Sequence, residues 1–439
     1  MLTTLRNAFK VKDLRRRILF DLAMLLVIRF GSQLPTPGID SDVIAQIFAQ
    51  KTNGSFNFFD AITGGSFTKF AILALGINPY ITSSIIMQLM TIAIPKLEEL
   101  QNDGEDGRKK IVAITRYVTV ILALLQATAF VIGFGNSGAL KTFNAMTVIT
   151  AVAGLTAGSA FLMWIGERIT EKGIGNGISV VLVINIVSRM PQDISSLFER
   201  FVFAEGLAPL TSVLAAVIIV AIIIGMIVLV VLLNSAVRKI PVQYAKKMQG
   251  RKMVGGQTSN IPLKVNTAGV IPVIFADSLL SIPLIICGFF NYQGTGIWAE
   301  ILKGMNRENW CKPGAPQYSI GLLVYIVLVV FFAYFYTSIT FNPMMVADNM
   351  KKQGGFIPGI RPGKPTTEYL NKVLNYIIFI GAVGLIIVSV IPIFFNGVFG
   401  ADVSFGGTSL IIVVSVVLET LTQAESLMVV RNYKGFLQN

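Results

Sequence analysis

Three ionisable side chains lie deep inside apolar stretches of this sequence, where they could move protons or line a polar cavity. They are Arg29, Asp277 and Glu419. A charge at the centre of a lipid-facing helix costs about 2.5–3.5 kcal/mol on insertion scales, so each of these residues needs a functional or structural reason. Two interpretations fit: a proton relay, as in an ion-coupled transporter, and structural pairing or the lining of a polar cavity.

The sequence offers few residues or motifs for catalysis, metal binding or phosphate binding. The sequence contains no His, which removes imidazole metal ligands, the Ser-His-Asp triad and the usual proton shuttle. Cys287 and Cys311 form no CxxC motif and are interpreted as isolated small apolar side chains. The acidic group at 98–106 lacks EF-hand spacing, and the glycine run at 173–177 lacks the strand and the Gly-Lys-Ser/Thr of a phosphate loop. We therefore predict no enzyme activity, no metal and no cofactor.

The composition predicts a membrane protein. Of 439 residues, 54% are apolar and 13% charged, whereas water-soluble chains carry about 25% charge. Apolar windows near the ~20 residues that a bilayer requires recur along the chain. Charge-free windows cover 70–94, 146–166, 207–233, 318–341 and 373–395, and windows that are shorter or contain ionisable groups cover 18–34, 111–134, 174–190, 265–292 and 405–430. Because a bilayer offers no water to peptide groups, we predict an all-α integral membrane protein with a transmembrane helix in each of these ten windows.

Basic residues predict the orientation of these helices. Of the 36 Lys and Arg residues, 26 lie in the two tails and the connecting segments on the same side, and 8 lie in the other connecting segments. Positive charge accumulates on the cytoplasmic side of membrane proteins. We therefore expect a multi-pass protein with both termini in the cytoplasm.

Two long cytoplasmic segments, at 234–264 and 342–372, contain seven and five basic residues. Both also contain Gly, Pro and apolar or aromatic residues such as Phe356 and Ile357, which a merely solvated loop does not need. Solvated loops remain one interpretation. The other is a docking surface for an acidic protein face or an RNA backbone, which Arg can bind through two hydrogen bonds.

Several predicted spans contain residues that interrupt helices. The second span contains Gly76-Ile-Asn-Pro-Tyr80 and follows an apolar outward segment at 35–69, the fifth begins in the glycine run, and the seventh contains Pro272 and Pro283. Irregular backbone at membrane depth is tolerated only inside protein or beside water. We predict that the chain re-enters as a half-helix before the second span and that the interior is accessible to water.

Several long motifs carry a family resemblance. They are Arg29-Phe-Gly-Ser-Gln-Leu-Pro-Thr-Pro-Gly-Ile39, Leu75-Gly-Ile-Asn-Pro-Tyr-Ile81, Gly104-Glu-Asp-Gly-Arg-Lys-Lys110, Gly166-Glu-Arg-Ile-Thr-Glu-Lys-Gly-Ile-Gly-Asn-Gly-Ile-Ser179, Pro262-Leu-Lys-Val-Asn-Thr-Ala-Gly-Val-Ile-Pro272, Ala347-Asp-Asn-Met-Lys-Lys352 and Pro358-Gly-Ile-Arg-Pro-Gly363. Across essentially the whole chain the sequence resembles the SecY family of bacterial protein-translocation channels.

The resemblance implies a channel of two five-helix halves, 1–190 and 191–439, the second inverted relative to the first. It would pass unfolded secretory polypeptides across the bacterial cytoplasmic membrane and release membrane segments sideways into lipid, driven by a partner. The alternative left open by the deep charges is an ion-coupled secondary transporter. The family's partners would be the membrane subunits SecE and SecG, the SecA ATPase, the ribosome and signal sequences.

The resemblance also implies four groups of site residues. An aliphatic pore ring would contain Ile77, Ile81, Ile178, Leu182, Ile274 and Ile412; a lateral gate would contain Thr82, Ser83, Ser278, Ser281 and Ile282; a plug half-helix near 55–67 would contain Phe58, Phe59, Ile62, Gly64, Gly65 and Ser66; and docking of motor or ribosome would use Arg251, Lys252 and Arg361. A narrow aliphatic ring excludes water and ions when empty, yet its side chains offer a passing chain no bonds that would trap it.

Overall fold

The computed structural model describes residues 9, 11–40, 43–44, 60, 63–135, 138–140, 142–203, 209–244, 247–249, 252–254, 258–289, 296–399 and 407–436. These residues are mainly helical. The helices are α1 (Lys12–Gly31), α2 (Asn78–Ala93), α3 (Pro95–Asn102), α4 (Gly104–Gly135), α5 (Ala145–Lys172), α6 (Gly177–Phe201), α7 (Pro209–Ser235), α8 (Ile271–Phe289), α9 (Ile297–Met305), α10 (Ile320–Thr340), α11 (Pro343–Lys352), α12 (Lys364–Phe399) and α13 (Gly407–Phe436).

Each of the ten predicted windows contains one of these helices. Among the described residues, seven helices are long and apolar enough to cross a membrane by themselves, and α2 with α3 forms an eighth if the bent pair counts as one span. The other two windows contain α1, which is rich in basic residues, and α8, whose apolar stretch Ile271–Ser281 is short. The all-α membrane fold is confirmed, and the helix count is consistent with ten.

The second predicted span begins later than the sequence suggested. Residues 64–70 and 72–77 form turns and α2 begins only at Asn78, whereas Asp60 and Thr63, just before the turns, are helical. Gly76 has a positive φ of 59° and Pro79 occupies the first turn of α2, where a proline is favoured and marks a helix start. The helix ends at Ala93, and the direction changes by 107° into α3.

The chain divides into two compact units, each described separately. The first comprises Met1–Leu197, Leu284–Ala299 and Val416–Asn439. Its largest core cluster packs α4 and α5 against residues 67–75. Phe67 lies edge-on to Phe130 with ring centroids 5.0 Å apart, and Phe70 lies edge-on to Phe134 at 5.6 Å. These contacts fix the turn segment before α2 to α4.

The second unit comprises Phe198–Pro283 and Glu300–Ser415. Its core joins α8, α10, α12 and the start of α13 around the buried side chains of Trp310 and Tyr325. The Trp310 Nε1 donates a hydrogen bond to the carbonyl of Gly304 (2.7 Å). This contact ties the short segment between α9 and α10 back to the last turn of α9.

The two basic segments of the second unit form a small three-stranded sheet and a separate two-stranded sheet, neither of which the sequence predicted. Strands β1 (Val237–Tyr244), β4 (Thr258–Lys264) and β5 (Gly355–Phe356) pair antiparallel in the order β4-β1-β5, and β2 (Lys247–Gln249) pairs with β3 (Lys252–Val254). Ile240, Val242 and Ile357 are buried in a core shared with α11 and α12. The apolar residues of these segments are therefore explained by a core of their own.

Candidate functional site

The first unit contains four of the predicted ring residues, in two pairs. The amide of Ile81 donates to the carbonyl of Ile77 (3.1 Å), so the first turn of α2 places both side chains on one face. Ile178 and Leu182 have the same spacing on α6. Ile77 and Leu182 are buried, and Ile81 and Ile178 are half-buried.

The glycine run before α6 is a tight turn between helices. The side chain of Asn176 accepts the amide of Ile178 (3.1 Å), and Thr170 Oγ1 accepts the amide of Gly177 (2.9 Å), so two amides at the start of α6 have partners. A Cβ on Gly177 would collide with the carbonyl of Gly166. This glycine therefore has a structural role: it lets α5 and α6 approach closely.

The second unit contains Ile274 on α8 and Ile412 on α13. Each directly follows a fully buried core residue, Val273 and Ile411. Successive helix positions differ by about 100° around the axis. Both ring residues therefore lie on faces of their helices next to the core face.

The predicted gate hydroxyls are partly engaged inside their own units. Ser83 is buried and donates to the carbonyl of Thr115 on α4 (2.8 Å), and Ser281 donates to the carbonyl of Asp277 in its own helix (2.7 Å). Thr82 and Ser278 are half-buried. Ile282 lies in α8, and its side chain is outside the described part of the chain.

The described part of the predicted plug lies against α1 and α6. Phe58, Phe59 and Ile62 fall outside the described residues, whereas Gly64, Gly65 and Ser66 are described. Gly64 has a φ of 67°, and a Cβ there would lie 2.7 Å from the carbonyl of Asn185 and 2.9 Å from Ser188 Oγ. The Arg29 guanidinium donates to the carbonyl of Gly64 (3.4 Å). Arg29 therefore contacts this segment.

Sequence reasoning missed a charge pair that anchors the same segment. Asp60 is buried, and its carboxylate forms an ion pair with Arg189 on α6. The amide of Thr68 also donates to Asp60 (3.0 Å), and Asp193 lies 3.6 Å from the Arg189 Nε. The only local signal was a lone acid beside an apolar, Phe-rich stretch, which does not indicate a partner so distant in the chain.

Of the predicted docking residues, Arg361 is described in full. It is exposed in the turn between β5 and α12, and its carbonyl accepts the Thr366 hydroxyl (2.8 Å). Gly359 and Gly363, with φ of 82° and 107°, shape this turn. Arg251 lies outside the described residues, and Lys252 lies in β3 with its side chain outside them.

The deep ionisable residues differ from one another. Asp277 is 5% exposed, and both its oxygens accept hydrogen bonds from Arg307 Nη1 (3.2 Å each). Glu419 is exposed on α13. Nearer the predicted cytoplasmic end, Arg116 Nε binds Glu167 at 2.7 Å. For Asp277, the structure favours structural pairing over a proton relay. Within the described ranges, no group of three His, Cys, Asp or Glu side chains could hold a metal ion.

Comparisons with known proteins identify the family of this chain. The SecY family model matches residues 71–421. The chain is 44% identical over 453 residues to the protein translocase subunit SecY of Streptomyces scabiei, with 100% of both chains covered.

Two solved structures share the fold. One, described as the structure of a protein conducting channel, has a TM-score of 0.61 and 19% identity, covering 94% of this chain and 92% of that one. The other, Sec61 in the canine ribosome-channel complex from the endoplasmic reticulum, has a TM-score of 0.59 and 17% identity over the same shares. The family match and the full-length relative extend this likeness from fold to family: the chain belongs to the SecY family of protein translocase subunits.

Proposed function

We propose that this chain is the pore subunit of a protein-conducting channel in a bacterial cytoplasmic membrane. It passes unfolded secretory polypeptides across the membrane and releases membrane segments sideways into lipid. The observation that carries this proposal is the 44% identity, over the full length of both chains, to a translocase subunit. The helix found in every predicted span agrees with it.

The constriction of this channel is the pore ring defined above. Its members occupy the first turn of α2, the start of α6, and the faces of α8 and α13 next to the core. Aliphatic side chains at a narrow point exclude water and ions without binding the peptide that passes. The plug is the segment near 55–67, which contains Phe58, Phe59, Ile62, Gly64, Gly65 and Ser66 and which the Asp60–Arg189 pair anchors. Thr82, Ser83, Ser278, Ser281 and Ile282 form the lateral gate, and 1–190 and 191–439 are the two halves.

Partners supply the driving force at the cytoplasmic surface. The exposed Arg361 beside the small sheet suits an acidic protein face or phosphate, and Arg251 and Lys252 are further basic residues of the two cytoplasmic segments in the sequence. We assign these residues to docking of the SecA ATPase and the ribosome, with SecE and SecG as membrane subunits. The ribosome assignment is supported by the canine relative, which is a ribosome-channel complex.

Both termini face the cytoplasm, as the distribution of basic residues predicts. The chain itself catalyses no reaction.

The ring is tested by ion conductance in planar bilayers. The triple variant Ile81→Gly, Ile178→Gly, Ile274→Gly should leak ions at rest, because glycine leaves a wider and more polar constriction. The matched control replaces three exposed isoleucines of the helix exteriors: Ile121→Gly, Ile149→Gly, Ile218→Gly. Wild-type conductance in the ring variant, with intact insertion, would show that the ring lies elsewhere.

A further inference from the structure

A buried charged cluster links three elements of the second unit. It consists of Asp277 on α8, Arg307 in the segment after α9, and Thr408 at the start of α13, and is called here the Asp277 cluster. Arg307 Nη1 donates to both oxygens of Asp277 at 3.2 Å, and the Thr408 hydroxyl donates to one of them at 3.3 Å. The Arg307 guanidinium also lies 5.7 Å from the ring centroid of Tyr325 on α10.

This cluster is costly for the fold. Removing a carboxylate and a guanidinium from water costs several kcal/mol per ion, and a pair of well-packed apolar residues is often as stable or more stable. The side chains of Asp277 and Arg307 are only 6% and 26% exposed. Apolar residues of α8 and α13 already share the surrounding core. Holding α8 and α13 together therefore does not require the cluster. What the cluster adds is a fixed geometry between these two helices.

The cluster lies beside both ring residues of this unit. Asp277 is three positions after Ile274 on α8, and Thr408 is four positions before Ile412 on α13. Residues three or four apart share a helix face, one turn above the other. In the proposed topology α8 runs outward and α13 runs inward, so both polar residues lie one turn to the outward side of the ring. The hydrogen bond between them thus joins the two helices one turn from the constriction.

We propose that Asp277, Arg307 and Thr408 are positioning residues of the pore constriction. They fix the register of α8 against α13, and so hold Ile274 and Ile412 at one level in the ring. Arg307 is essential to this arrangement because it neutralises the carboxylate that bridges the helices. This inference rests on the proposed function, and it assigns to Asp277 a part in sealing the channel without any proton transfer.

The test measures resting conductance of the complete complex in planar bilayers. The double variant Asp277→Asn, Arg307→Gln removes both charges together, so no uncompensated charge is left buried. We expect about a tenfold rise in conductance, the effect of one lost hydrogen-bonded contact on the population of a loosened arrangement. Thr408→Val should raise it in the same direction. Arg307→Lys should stay near wild type, because a single donor atom contacts both oxygens and an ammonium can replace it.

Lys303→Gln is the matched control, since Lys303 pairs with Glu300 on the same outward segment but is exposed. Thermal unfolding is measured in parallel. Wild-type conductance in the double variant overturns the inference, whether or not its unfolding temperature falls. The glycine ring variant separates the two proposals: if that variant leaks and the double variant does not, only the positioning role fails, and if neither leaks, the ring itself is misplaced.

Discussion

The glycines inside the membrane helices differ in how closely a neighbouring backbone approaches them. A Cβ at Gly158 of α5 would fall on the carbonyl of Ile72, just before α2, whereas Gly225 of α7 faces open space. Small residues at crossings let membrane helices gain van der Waals contact where lipid supplies no hydrophobic driving force between them. The same residue type therefore has a packing role at one position and none at the other.

This difference predicts unequal effects of one substitution. Gly158→Val should destabilise the protein by about 1–3 kcal/mol, because the branched side chain must displace backbone rather than a flexible side chain. Gly225→Val should change stability by less than about 0.5 kcal/mol. Thermal unfolding of the purified complex in mild detergent measures both. Equal unfolding temperatures for the two variants would contradict the close approach at Gly158.

The sequence alone could not tell which of these two glycines has a packing role. Both lie in apolar helical windows, so local composition is the same. What distinguishes them is a contact with a segment remote in the chain. The same holds for Asp277 and Arg307: the carboxylate was recognised as unusual, but its partner was not, because Arg307 lies in an outward segment with no pattern of its own.

Elements were predicted better than contacts because hydropathy is a local property. A stretch of about 20 apolar residues must be helical in lipid whatever surrounds it, and every predicted window does contain a helix. The start of α2 was placed too early because the apolar residues of 70–77 are buried against α4 and α5 as turns. Hydropathy reports burial there without reporting conformation.

The small sheet was missed although its signal was present. In β1 the alternating residues Ile240 and Val242 are buried while Lys239 and Gln243 are exposed, which is the two-residue period of a half-covered strand. The many basic residues of the segment make charge a stronger signal than this period. In the sequence, the apolar content of the second segment, including Ile357, therefore suggests docking, whereas in the structure Ile357 belongs to a core.

The core beneath this sheet predicts a local effect. Ile240→Ala removes a fully buried side chain and should weaken the sheet by about 2–5 kcal/mol, whereas Gln243→Ala on the exposed face should be nearly neutral. Hydrogen exchange of the amides of β1 and β4 is the appropriate measurement, because the opening is local and the membrane helices remain folded. Unchanged protection in the Ile240 variant would mean that the sheet is held by other contacts.

At the scale of the whole molecule, the buried carboxylates bear on whether transport is coupled to an ion gradient. Among the described residues, the buried carboxylates of Asp277 and Asp60 are each paired with an arginine in their own unit. A buried pair is a poor proton relay, because protonating the carboxylate leaves its partner charge uncompensated. Transport coupled to an ion gradient through these two groups is therefore not expected, which agrees with the proposal that a partner supplies the driving force.

Reconstituted vesicles test this expectation directly. Vesicles containing the complete complex should accumulate no small solute when given a proton or sodium gradient, yet should take up a secretory polypeptide once SecA and ATP are added.

Glu419→Gln should export at the wild-type rate, because a carboxylate exposed on α13 is not required if no ion is coupled. Arg361→Glu is the complementary variant: it should insert normally and lose SecA-driven uptake, since it reverses one charge of the proposed docking surface. Gradient-driven accumulation, or loss of export in the Glu419 variant alone, would instead support a transporter.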